Sequence, residues 1–329
     1  MELSFLDVLL SVFSLVLLAI PGFIVGKMKL LPENGSKALT SVLLFVGQPA
    51  LTFMSFQKTA YSESIVSNLL VVAGLAILAH LLMIFVVIGL FFKKAKTDAK
   101  LRVVSYASIF GNCGFMGLPF LQMLFGNGSP QAIMYGAVFV AVFNTFSWTV
   151  GIFFITHDKK YISIKKILLN PPFIALLISL PLYLILKRPI NMIGVEGTFL
   201  RSLFEKVFIS GNYLSELVTP LSMIILGIRL SEMKFKQIFM DSHAYISSSL
   251  KLLFMPALGY FVCTILCVPE LIKWAIFFEC CMPTATQTLL FSEQYGDEPH
   301  TASSAVLLAT LASTLTIPIM YLLFSVIGL

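Results

Sequence analysis

The chain has 329 residues, of which 58% are hydrophobic and 12% charged, and its mean hydropathy is +0.95. A soluble domain carries roughly 25% charged residues, so this composition excludes a water-soluble fold and makes the bilayer the solvent. The net charge of +6 does not indicate nucleic acid, because Lys and Arg fall mostly in short connectors, where they read as topology signals.

Stretches of about 20 mostly apolar residues define a span. In chain order they fall at 4–26, 37–57, 64–92, 101–124, 130–156, 172–188, 212–230, 243–267, 270–293 and 300–327. The N-terminus lacks a basic n-region and a small-residue cleavage site, so it reads as a first span rather than a signal peptide. The second span carries Gln48-Pro49 and the third carries His80, which reads first as a satisfied core histidine. The fourth is interrupted by Gly111-Asn112-Cys113-Gly114-Phe115-Met116-Gly117-Leu118-Pro119. The fifth contains Asn144 and Trp148, read as packing or interfacial residues. Between the sixth and seventh spans, Phe199, Leu203 and Val207 recur at helical spacing beside Arg201, Glu205 and Lys206, the pattern of an interfacial helix. The seventh holds Pro220 and Ser222, and the eighth holds Lys251, close enough to its cytoplasmic end to snorkel. The ninth is interrupted by Cys281-Met282-Pro283-Thr284-Ala285-Thr286-Gln287.

Connectors on one side of these spans hold 15 Lys and Arg residues and those on the other side hold six. The positive-inside rule therefore puts both termini outside, with the 93–102 and 157–171 connectors in the cytoplasm. Proline punctuation recurs at similar offsets: Pro21 with Pro181, Pro49 with Pro220, and Pro119 with Pro283. Five spans per half is an odd number, so the second half enters from the opposite side, which predicts an inverted repeat. The expected organisation is 1–157 as the first repeat, 158–171 as a cytoplasmic connector and 172–329 as the second repeat.

Backbone that leaves the helix inside a bilayer is tolerated only where protein or a wet cavity surrounds it, and a matched pair of interrupted spans points to a carrier's substrate site. Half-helices starting at mid-membrane present unpaired N–H groups and about half a positive charge, and Pro119 and Pro283 suit such starts. Two starts facing one point form an anion site without an arginine. The candidate binding residues are Asn112, Cys113, Gly114, Gly117, Pro119, Gln48, Pro49, Ser222, Pro283, Thr284, Thr286 and Gln287. Each has a plainer reading: a kink for the breaks, a helix cap for Asn112, and local hydrogen bonds for Gln48 and Ser222. Glu279, one turn before Pro283, is a candidate for proton coupling or a structural carboxylate, and His80 is a weaker candidate for the same role. No catalytic, zinc or phosphate-loop motif occurs, and the cysteines at 113, 263, 267, 280 and 281 lie in or beside apolar segments, which argues against a disulfide framework. No enzyme activity, cofactor or metal is expected.

The Gly111–Pro119 sequence resembles the fourth-helix motif of the auxin efflux carrier family, which includes plant auxin carriers and bacterial malate and malonate permeases. Gln48-Pro49-Ala50-Leu51, Pro220-Leu221-Ser222 with Leu226-Gly227, and Met282-Pro283-Thr284-Ala285 with Tyr295-Gly296-Asp297 are similar to further patterns of that family. The resemblance covers essentially the whole chain. It implies an all-α polytopic fold of ten transmembrane helices in two inverted five-helix repeats, with crossed broken helices as in bile-acid carriers. It further implies scaffold and transport subdomains, a homodimer in the plasma membrane, and small carboxylate anions as substrate, with Asn112, Pro119 and Pro283 as site positions. Plant members carry Asn-Pro at the crossover and often a long central loop. Gly-Leu-Pro and a short connector here favour the compact microbial permease type. Proton or sodium coupling, including a sodium symporter of bile-acid-carrier type, and a channel or sensor remain alternatives.

Overall fold

The computed structural model describes residues 3–32, 34–162, 165, 168–233, 241–296 and 298–327. Among them every regular element is helical, and the sole extended pairing is an isolated antiparallel bridge between Gly111 and Thr284. The helices are α1 (Phe5–Lys27), α2 (Gly35–Lys58), α3 (Glu63–Ala95), α4 (Ala99–Ile109), α5 (Cys113–Phe125) and α6 (Pro130–Thr156). They continue as α7 (Pro171–Leu186), α8 (Phe199–Glu232), α9 (Ser242–Ile265), α10 (Glu270–Cys281), α11 (Gln287–Tyr295) and α12 (Pro299–Ile327).

Starts are written in local sequence. Ser4 and Asp7 form a capping box at α1, and the side chains of Ser62, Asp98, Thr198 and Asp241 accept backbone N–H bonds at the starts of α3, α4, α8 and α9. Pro130 and Pro171 open α6 and α7, where a missing N–H is harmless. The helix expected at the interface begins at Phe199 and runs on through Leu217 into the following span, so the two form one long element.

Four helices contain a five-residue π turn: Leu43–Gly47 in α2, Cys113–Gly117 in α5, Ser147–Gly151 in α6 and Leu250–Phe254 in α9. Pro49, Pro119 and Pro256 each follow such a turn by two residues. Proline's ring clashes with the carbonyl four residues back, and a wider turn relieves that crowding.

Helices α1, α2, α7 and α8 pack on one another, and α3 to α6 pack with α9 to α12. The α1–α8 crossing is close: a Cβ on Gly227 would lie 2.7 Å from the Phe23 nitrogen, and one on Gly22 would lie 2.8 Å from Ile224 Cα. Small residues allow this backbone contact where lipid supplies no hydrophobic drive for helix association. Large apolar side chains such as Leu6, Phe13, Leu70, Phe85 and Ile185 point outward, as a lipid-facing surface requires. Lys166, Lys234, Lys236 and Asp297, used in the charge count and motif reading, lie outside the described residues.

Candidate functional site

The two interrupted segments cross. Asn112 N–H donates to the Pro283 carbonyl at 2.6 Å, and Ala285 N–H donates to the Phe110 carbonyl at 2.9 Å. The Thr284 hydroxyl, fully buried, donates to Ala107 O at 3.0 Å and so satisfies one of the last carbonyls of α4. Backbone groups freed by the breaks are thus paired with each other, as an interior without water demands. At this crossing α4 and α10 end, while α5 and α11 begin.

Proline does not mark the helix starts. Pro119 lies inside α5, beyond the π turn, and Pro283 lies within the extended segment, where it pre-sets extended backbone at Met282 (φ −60°, ψ 139°). The break in the first segment falls instead at Phe110–Asn112.

A cavity of about 1190 Å³ opens between the two helix groups. Gln48 and Arg229 come from α2 and α8, and Asn112, Cys113, Gly114 and Phe115 from the start of α5. Asn144 and Trp148 come from α6, and Thr286 and Gln287 from the start of α11. Asn112 is 4% exposed, its side chain makes no capping bond, and its Nδ2 has no hydrogen-bond partner. The capping alternative therefore fails. Gln48 bonds across the cavity wall rather than locally, its Nε2 donating to Gly114 O at 2.8 Å. Ser147 Oγ donates to Gln287 Oε1 at 3.0 Å, with Tyr106 hydroxyl 2.7 Å from Ser147, which fixes the Gln287 amide. Asn144 and Trp148, expected as packing or interfacial residues, line the cavity.

The remaining candidates lie elsewhere. Pro49, Gly117, Pro119, Ser222, Pro283 and Thr284 do not line the cavity, and Ser222 bonds locally to Thr219 O. His80 Nδ1 lies 2.7 Å from Ala76 O, and its ring stacks on Phe146. That is the core histidine of the plainer reading. Glu279 is fully buried behind the crossing: a Cβ on Gly117 would lie 2.8 Å from its Cδ, and one on Gly136 would lie 2.9 Å from Oε1. Neither carboxylate oxygen has a hydrogen-bond partner.

Two cations depart from expectation. Arg229, counted as a connector charge, lines the cavity with its guanidinium 5.8 Å from the Phe115 ring centre and 3.2 Å from Thr40 Oγ1. Lys251 does not snorkel. It is 1% exposed, and its Nζ donates to Cys280 O at 3.0 Å, one of the carbonyls left without an intrahelical partner at the end of α10. A lone Lys inside an apolar span was the available signal for it.

A family model described as membrane transport protein matches residues 7–321, nearly the whole chain. The chain belongs to that family. This is the auxin efflux carrier family to which the Gly111–Pro119 motif pointed. The chain is 28% identical over 320 residues to an uncharacterized transporter of Methanocaldococcus jannaschii, covering 95% of this chain and 96% of the relative. It is 23% identical over 310 residues to an uncharacterized transporter of Methanothermobacter thermautotrophicus, covering 94% and 96%. The protein is therefore a multi-pass membrane transport protein and not an enzyme.

Proposed function

We propose that this transporter is a secondary carrier of small organic carboxylates, malate-, malonate- or auxin-like, held at the crossing of the interrupted segments. The observation that carries this reading is the Asn112 amide nitrogen, buried and unpartnered at the start of α5 on the cavity wall. Around it, Thr286 and Gln287 begin α11, so two positive helix ends and neutral donors converge on one space. Arg229 adds a full cation with planar donors suited to a carboxylate. Phe115 and Trp148 supply apolar walls for the remainder of an organic anion.

Counting α4 with α5, and α10 with α11, as broken spans gives ten crossings in two halves. The reciprocal bonds between the breaks, and the prolines inside both α1 and α7, fit halves related by inversion. In that reading Lys37, Lys165, Arg229 and His300, all on the cavity wall, stand at or near connectors on the basic, cytoplasmic side. The cavity then represents an inward-open state, roomier than one small ligand needs. Movement of α3–α6 and α9–α12 against α1, α2, α7 and α8 would carry the site across by alternating access.

The test is uptake of labelled malonate, malate and an aromatic acetate by proteoliposomes, beside thermal-shift titration of the purified protein. Saturable uptake of at least one carboxylate is expected, with Asn112→Ala reducing apparent affinity about tenfold, the loss of roughly 1.4 kcal/mol for one hydrogen bond to a charged ligand. Uptake and binding unchanged in Asn112→Ala would refute the site.

A further inference from the structure

Lys251 has no part in the cavity. It stands in the π turn of α9, outside the cavity lining but packed against Gly111, which belongs to that lining. Its ammonium bonds the Cys280 carbonyl in the last turn of α10. Its Cε and Nζ each lie 2.8 Å from the point where Gly111 would carry a Cβ, and Met282 O lies 3.2 Å from that same point. Gly111 follows directly on the end of α4, so the ammonium is wedged against the C-terminal ends of both interrupted helices. No carboxylate forms an ion pair with it among the described residues. Glu279 is one residue from Cys280 in sequence, but its carboxylate packs against Gly117 and Gly136.

A helix C-terminus carries about half a negative charge, so two of them present about one unit to a single point. Burying that unit without a counter-charge is unfavourable in a medium with no water. One ammonium on a four-carbon stem, hydrogen-bonded to Cys280 O and packed against Gly111, balances it. Other proteins meet such a concentration of carbonyl ends with a bound monovalent cation, whose oxygen ligands those same carbonyls supply.

We propose that Lys251 is a tethered substitute for a bound cation: its ammonium occupies the place between the two helix ends that sodium would otherwise take, and the transporter works without sodium. A side chain at position 111 would push the ammonium aside, since Cε and Nζ lie 2.8 Å from the Cβ position. A sodium ion held by the carbonyls of these two helix ends would need the space that the ammonium fills. The inference concerns the crossing alone and holds whichever anion is carried.

The experiment compares thermal unfolding of the purified full-length protein in sodium chloride and in choline chloride at equal ionic strength. Wild type and Lys251→Arg are expected to unfold at the same temperature in both salts. Lys251→Ala, which leaves the Cys280 and Met282 carbonyls around an empty space, is expected to unfold at a lower temperature in choline and to regain at least half of that loss in sodium. Lys251→Met fills the space without charge and is expected to be destabilised equally in both salts. A sodium-stabilised wild type, or a Lys251→Ala protein indifferent to the salt, overturns the proposal. Radioactive sodium binding to the wild type is the second measurement, independent of whether the alanine variant folds. Its absence is expected, and saturable binding overturns the assignment. No readout involves the anion, so this result and the carboxylate result stand apart.

Discussion

Gly117 and Glu279 offer a measurable test of how the crossing is packed. A Cβ on Gly117 would lie 2.8 Å from Glu279 Cδ and 3.0 Å from Oε1, inside a fully packed interior. Overpacking of this kind costs about 1–3 kcal/mol. Alanine at a helical glycine otherwise stabilises by roughly 0.5–1 kcal/mol. Gly117→Ala is therefore expected to destabilise the wild type by up to about 2 kcal/mol, yet to be neutral or stabilising by about 0.5–1 kcal/mol once Glu279→Ala has removed the opposing carboxylate. The difference, a coupling of about 1–3 kcal/mol, is within the range found for residues in contact. Denaturant unfolding in detergent of the wild type, both single variants and the double variant measures it. Glu279→Gln keeps the volume and removes the charge, so Gly117→Ala should be as harmful there as in the wild type. Equal effects of Gly117→Ala in the wild-type and Glu279→Ala backgrounds would refute the contact.

Two further outcomes follow from the crossing and its surroundings. Thr284→Val keeps the shape but strands the Ala107 carbonyl, so a loss of about 1–3 kcal/mol is expected, while Thr284→Ser should behave as wild type; equal unfolding of the valine and serine variants would contradict the assigned bond. His157 follows the end of α6 and lies between Phe92 and Phe153, and its proton affinity is lowered from the ordinary 6.5 by burial first and then by Arg102 and Lys96. The unfolded chain binds that proton more readily, so stability is full above about pH 6.5 and declines as pH falls through that value; His157→Gln should flatten this decline, and an unchanged pH profile would remove His157 from it.

Much of the crossing is visible in the sequence because breaks are written in residues with distinct backbone chemistry. Gly111, Gly114, Gly117 and Pro283 interrupt apolar runs, and the structure unwinds or widens the helix in both places. The start of each half-helix is less legible, since Pro119 looks like a first-turn proline yet follows a π turn that local sequence does not announce. The direction in which a side chain points is the least legible. In a soluble helix a polar face marks water, but here both lipid and protein interior are apolar, so periodicity carries little information. Trp148 and Asn144 therefore read as packing or interfacial residues, and Arg229 as a connector charge, although all three meet the cavity. Lys251 fails for a related reason: depth along a span is countable, but the Cys280 carbonyl that accepts its hydrogen bond comes from another helix.

The π turns give the cavity wall a particular kind of compliance. Three of them contribute lining residues, among them Phe45, Phe115 and Trp148, and the fourth bears Lys251. A π turn holds one residue more than an α-helix would use, and that surplus can be handed along the chain by exchanging one hydrogen bond for its neighbour. Each hand-over turns the intervening residue by about 100° around the helix axis. Side chains on the wall can thus be swapped in and out of the cavity while both ends of the span stay anchored. A wall built this way has a gearing available to it that uninterrupted α-helices would lack.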